Sequence, residues 1–141
     1  MISAFLDSSV LVAALAPDEL KHGDCLALLL SGGNCICSHA LLETFSTLTG
    51  GKLGVRVTPE LAARMLSQTI LPRVSVIELS TVEIIEALEV AQACGVRGGA
   101  VYDYMHLVAA RKGEASVIFT LNIDDFQHLR RGHDPEVQVP Q

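Results

Sequence analysis

The sequence predicts an α/β fold: a mostly parallel sheet of four or five strands, covered by helices on both faces as a three-layer sandwich. Three features of its 141 residues carry that prediction. Short apolar runs end at turn formers or polar residues, as buried strands do. Longer stretches with three-and-four apolar spacing separate those runs. Strands that alternate with helices imply parallel pairing, with crossover helices covering the sheet.

The first run, Ser3 to Leu6, stops at Asp7 and turns into a second apolar segment, Ser9 to Val12. Asp7 and Ser8 suit the mouth of a helix, because their side-chain oxygens accept from its free N–H groups. Asp18 to Leu30 has helical spacing, and Gly32-Gly33-Asn34 ends it. Cys35-Ile36-Cys37 is the second strand, and Ser38 caps a helix from His39 to Leu48 that stops at Gly50-Gly51. Thr58-Pro59-Glu60 opens the next helix, since proline in the first turn loses no hydrogen bond. That helix runs to about Thr69, short of Pro72. Val74 to Leu79 is the third strand. A long helix from Ser80 or Thr81 reaches Cys94, with Glu83, Glu86 and Glu89 on a solvent face. Ala100 to Lys112 is helical, Ser116 to Thr120 is the fourth strand, and Asp125 to Leu129 is a short helix. Val137 to Val139 adds an edge strand, and the tail at Pro140-Gln141 is expected to fray.

Half the residues are apolar and 18% are charged, so the chain, read as one domain spanning residues 1–141, has material for a core. No apolar run approaches the roughly 18 residues of a membrane span, and no basic leader precedes a hydrophobic one. A cytoplasmic protein with reduced thiols is expected, so the four cysteines are read as core residues. Cys35, Cys37 and His39 alternate, which would align them on a strand. Zinc needs a fourth ligand, and none stands at a recognisable spacing. The formal charge of −6 argues against sequence-blind binding to a phosphate backbone. It leaves room for acids gathered around cations.

Four acidic places stand out. Asp7 ends the first strand, Glu43 lies in the helix after the second, and Asp103 is in the first turn of its helix. Asn122, Asp124 and Asp125 follow the fourth strand, just past Thr120. Each alone fits a helix cap or a solvated residue. In a parallel sheet, however, strand ends and helix starts share one rim. Carboxylates crowded there repel one another unless protonated or bridged by cations, and hard oxygen ligands suit Mg²⁺ or Mn²⁺. Such a site favours phosphodiester hydrolysis. An aspartyl phosphatase would want a second Asp where Ser9 stands, and Gly50-Gly51-Lys52 lacks the remaining residues of a P-loop.

Four segments resemble the PIN-domain family, and within it the VapC-type toxin ribonucleases: FLDSSVLVAAL at residues 5–15, SHALLETFSTLTG at 38–50, GGAVYDYMHLVAAR at 98–111 and TLNIDDF at 120–126. The resemblance implies an Mg²⁺- or Mn²⁺-dependent endoribonuclease acting on single-stranded RNA, a homodimer, and a VapB-type antitoxin that closes the site. DNA would be reached only through the antitoxin, and no membrane is involved. The family's acids fall on Asp7, Glu43 and Asp103, with Asp7 and Asp103 as main metal ligands. The fourth falls on Asp125, since many relatives have Asp where this chain has Asn122. Ser8, Thr120 and Asn122 are supporting residues, and Asp124 stands as an alternative fourth acid. Lys52 and Arg56, and also Arg130 and Arg131, are candidate RNA contacts or plain surface charge. His106 is expected to make a structural hydrogen bond beside Asp103. A PIN-fold interaction module with little or no catalysis is the competing reading, for which the Asn122 substitution speaks.

Overall fold

In the computed structural model, which describes residues 3–50 and 57–141, two short buried strands form the centre of the sheet. β1 (Ala4–Leu6) is buried at every residue and pairs in parallel with β2 (Asn34–Cys37) on one side and β4 (Val117–Phe119) on the other. β3 (Val74–Ile77) extends the sheet beyond β2, and β5 (Glu136–Gln138) extends it beyond β4. The order is β3-β2-β1-β4-β5, with every pair parallel. The chain therefore winds outward from β1 in one direction, then returns to its other side at β4. A crevice at the carboxyl ends of β1 and β4 follows from that reversal.

Successive strand residues face opposite sides, so each strand feeds two cores. The register row Phe5, Cys35, Ile118 and Val137 packs under α5 (Thr81–Glu89), α6 (Val101–Lys112) and α7 (Ile123–Leu129). Leu6 and Ile36 pack on the opposite face against α1 (Ser8–Leu15), α2 (His22–Leu30), α3 (His39–Gly50) and α4 (Pro59–Met65). Cys25, Cys35 and Cys37 are buried thiols, as the reduced-core reading expects.

Four segments depart from the sequence expectation. The stretch Asp18 to Leu30 becomes helical only at His22. Leu20 is 98% exposed, so the preceding turn has no core face. The helix opening at Thr58 is capped as expected, Thr58 Oγ1 accepting from Leu61 N–H, but its α-helical part ends at Met65. Leu66–Ile70 is a wider π turn, just ahead of Pro72. A proline ring crowds the carbonyl four residues earlier, and widening the turn relieves that clash. The long helix to Cys94 splits at Val90 into α5 and one 3₁₀ turn, with Ala87 and Ala91 buried on either side of the break; Gly95, at φ 72°, closes it. Ser80 and Glu83 form a reciprocal cap, and Glu83 also receives Lys112 Nζ at 2.7 Å, so Glu86 and Glu89 alone remain as free surface acids of that face. The C-terminal tail is held: Pro140 is buried, and its carbonyl accepts from Lys21 Nζ.

Ile36 is fully buried at the centre of one core. Ile36→Ala is expected to cost about 2–5 kcal/mol by chemical denaturation, whereas Leu20→Ala stays within about 0.5 kcal/mol of the parent.

Candidate active site

Asp7 occupies the crevice between β1 and β4. It is only 2% exposed, yet its carboxylate has a full set of donors. Ser9 Oγ donates to Oδ1 at 2.6 Å, Val10 N–H donates to Oδ1 at 3.2 Å, and Thr120 Oγ1 donates to Oδ2 at 2.6 Å. Asp7 therefore caps α1, as the sequence allowed. The same two hydroxyls pin the loop after β4, since Leu121 N–H donates to Ser9 Oγ and Asn122 N–H to Thr120 Oγ1. Burial raises the Asp7 pKa; the nearby His106 and these hydrogen bonds offset part of that rise.

Asp103 stands in the first turn of α6, the crossover helix that begins at the rim. Its pKa is pushed up to about 6, first by burial and then by the charges of Asp7, Asp125 and Glu43. Three acids from three other elements thus act on Asp103. Asp103 and Asp125 line a cavity of about 400 Å³, with Gly95, Gly99 and Ala100 along its wall and His128 and Leu129 opposite. Asn122 is exposed and lines a separate cavity of about 270 Å³, together with Ser8, Ser9, Glu19 and Thr47. Of the three residues after β4 considered as the fourth acid, Asp125 shares a cavity with Asp103. Asp124 is exposed and lines neither cavity.

Glu43 lies on the second turn of α3. Its Oε1 is 2.7 Å from Nε2 of His106, which is fully buried beneath it on α6. Glu43 is half-buried, and burial alone would raise its pKa; the His106 hydrogen bond and the His106 and His39 charges overcome that and hold it low. His106 thus makes the hydrogen bond expected of it, and the acceptor is a site residue. His39 is the residue that sequence reasoning undervalued. Its Nε2 sits 3.3 Å from the same Oε1, poorly aligned for a hydrogen bond, and its Nδ1 is 2.9 Å from Cys37 Sγ. Burial and His106 lower its pKa to about 4. The available signal was the four-residue step from His39 to Glu43, which puts both on one helix face.

The candidate cationic contacts separate. Arg130 and Arg131 direct their guanidinium groups to backbone carbonyls of their own loop. Lys52 and Arg56 lie outside the described residues. No helix among the described residues is long and apolar enough to cross a membrane.

Asp7, Asp103 and Asp125 offer hard oxygen donors, and the upward shift at Asp103, set first by burial and then by neighbouring carboxylate charge, is one that a dication would relieve. That donor set fits Mg²⁺ or Mn²⁺.

The fold is a parallel α/β domain whose strand order reverses at β1, with Asp7 at the carboxyl end of that strand. Residues 4–132 match the PIN domain model, and the chain belongs to the PIN domain family. It is 29% identical over 112 residues to Ribonuclease VapC27 of Mycobacterium tuberculosis, across 79% of this chain and 80% of that protein. Among solved structures it is similar to Mycobacterium tuberculosis VapC20, described as a sarcin-ricin loop cleaving toxin. That match has a TM-score of 0.70 at 20% identity, over 94% of this chain and all of the other. It is also similar to VapBC2 from Rickettsia felis bound to a promoter DNA fragment, with a TM-score of 0.69 at 19% identity over the whole of both chains.

The raised pKa of Asp103 has a sign that can be checked. An unfolded Asp titrates near 3.9, so between about pH 4 and pH 6 the folded chain binds the extra proton. In metal-free buffer that contribution to stability is complete below about pH 4 and is lost as pH rises through 6. Asp103→Asn should therefore raise the denaturation midpoint at pH 7 and leave it nearly unchanged at pH 4, and adding Mn²⁺ should narrow the difference at pH 7.

Proposed function

We propose that this chain is an Mg²⁺- or Mn²⁺-dependent endoribonuclease that cleaves single-stranded RNA, and that it is the toxin of a toxin–antitoxin pair, inhibited by a VapB-type antitoxin. What supports the proposal is that Asp103 and Asp125 line one cavity, and that burial and the charges of Asp7, Asp125 and Glu43 push Asp103 up to about 6. Family membership supports a nuclease, and the relatives' names point to ribonucleases and to complexes with antitoxins.

In this reading Asp7 and Asp103 hold the ion, and Asp125 completes its shell directly or through water. A bound divalent ion there supplies an activated water and neutralises charge on the phosphate. The protein's own contribution is positional. Thr120 and Ser9 fix both carboxylate oxygens of Asp7, so that it meets its ligand without reorganising. Ser8 and Asn122 shape the neighbouring cavity, where a nucleotide flanking the cut is accommodated. Glu43, held by His106, orients water at the opposite wall. Lys52 and Arg56 are assigned to the RNA backbone, whose binding such charges favour.

The exposed apolar residues support partners. Val82, Ile85, Leu88 and Val90 lie exposed on or beside α5, and Leu42 lies exposed on α3; we assign these two regions to a second copy and to the antitoxin. An arginine from the antitoxin would be drawn to the carboxylate rim.

Asp7→Asn and Asp103→Asn, each verified as folded by circular dichroism, should lower cleavage of single-stranded RNA about 10²-fold or more, and chelation should abolish it in the parent. Unchanged cleavage in both variants and after chelation would falsify the metal mechanism. Light scattering on the purified chain should give the mass of a dimer; a monomer at micromolar concentration and above would remove the homodimer from this reading.

A further inference from the structure

We propose that His39, Glu43 and His106 form a second, nitrogen-rich cation site, adjoining the carboxylates Asp7, Asp103 and Asp125, which takes a borderline transition-metal dication, Zn²⁺ foremost.

The three donor atoms converge. Glu43 Oε1 lies 2.7 Å from His106 Nε2 and 3.3 Å from His39 Nε2, and the three atoms all fall within 4.8 Å of one another. A tetrahedral ion with bonds of about 2.0–2.1 Å spaces its ligands by roughly 3.3 Å, so this triangle needs only small side-chain adjustments to close on one. Two helices supply it. α3 gives His39 and Glu43 one turn apart, and α6 gives His106 from 63 residues away. The imidazole rings have centroids 4.2 Å apart and are tilted by 49°, so they converge on the carboxylate instead of stacking flat.

Hydrogen bonding leaves the cluster incomplete. His39 Nε2 is buried and has no hydrogen-bond partner, because its contact with Glu43 is close but misaligned. Buried nitrogens are normally paired, and an orphan aimed at a carboxylate and a second imidazole is placed as a ligand is. The other face of that ring is already engaged, with Nδ1 2.9 Å from Cys37 Sγ. An outer partner on one nitrogen fixes the ring and presents the other nitrogen to a metal. Burial also keeps His39 neutral at physiological pH, the form that coordinates. Cys37 is thereby an outer-shell partner and not a ligand, which explains why counting Cys and His along the strand did not reveal the site.

The chemistry selects the ion. Two imidazoles and one carboxylate suit Zn²⁺ and its neighbours, whereas Mg²⁺ prefers oxygen alone, so the two pockets sort different cations. The side chains of His39 and Glu43 remain 24% and 28% exposed, so solvent reaches the edge of the cluster although His39 Nε2 itself is buried. A fourth ligand would be water arriving past these two side chains.

The test uses the full chain without a tag, stripped with a chelator and desalted. Zn²⁺ is titrated calorimetrically in excess Mg²⁺, and Co²⁺ serves as the spectroscopic probe. One Zn²⁺ per chain should bind despite the Mg²⁺, and Co²⁺ should give the strong visible bands of a four- or five-coordinate site. The double variant Asp7→Asn/Asp103→Asn should keep both signals. His39→Gln, at a partly exposed position, should weaken Zn²⁺ binding by about tenfold or more. His106→Gln should do the same if its thermal melt shows a folded chain; His39→Gln decides the matter otherwise. No Zn²⁺ retained against Mg²⁺, equal affinity in His39→Gln and parent, or the weak spectrum of octahedral oxygen ligation would each overturn the proposal. Activity is not read, so the site and the nuclease reading stand or fall separately.

Discussion

The hydrogen bond from Thr120 Oγ1 to Asp7 Oδ2 joins the two strands between which the sheet changes direction. Asp7 is almost wholly enclosed, and an enclosed carboxylate is tolerated only when its lone pairs are met. Ser9 and the start of α1 meet one oxygen and Thr120 meets the other. The acceptance goes further, because Thr120 and Ser9 in turn receive the N–H groups of Asn122 and Leu121. One carboxylate thus caps a helix, closes the seam between β1 and β4, and sets where the following loop leaves the sheet. The position of Asp125, one turn further on, is inherited from that loop.

Charge balance across the rim is uneven in a useful way. Asp7 and Asp103 are both raised by burial, while Glu43 is held low by a histidine beneath it. Two environments therefore exist side by side. One is short of positive charge and built of oxygen; the other carries its own imidazoles. The difference comes from α6, which brings Asp103 in its first turn and His106 one turn later, so neighbouring side chains of one helix face serve different pockets.

Much of this was visible in the sequence, and for a physical reason. Runs such as Ser3 to Leu6 and Cys35 to Cys37 are too short and apolar for anything but buried strands, and their parallel pairing follows from the helices between them. Asp7 and Asp103 could be placed on one rim because topology dictates it. Helix ends were harder: the π turn at Leu66–Ile70 depends on a proline ring acting backwards along the chain, and no glycine or proline marks the break at Val90. Asp125 and Asn122 could not be separated by spacing, since both follow β4, yet they line different cavities. The grouping of Cys37, His39, Glu43 and His106 was hidden for another reason. Its key contact spans 63 residues, and no local period records a meeting of that range. The anchoring of Pro140 by Lys21 is long-range in the same sense.

α1 has a consequence of its own. From Val10 through Ala16 every residue is buried, so the helix that follows Asp7 has no water-facing side along that span. Sequence drift has little freedom there, since nearly any replacement would disturb packing on two fronts. Outer helices such as α5, with Val82 and Ile85 in the open, carry no such restriction. The outer shell can therefore be rewritten residue by residue without disturbing the sheet, while the segment behind Asp7 cannot.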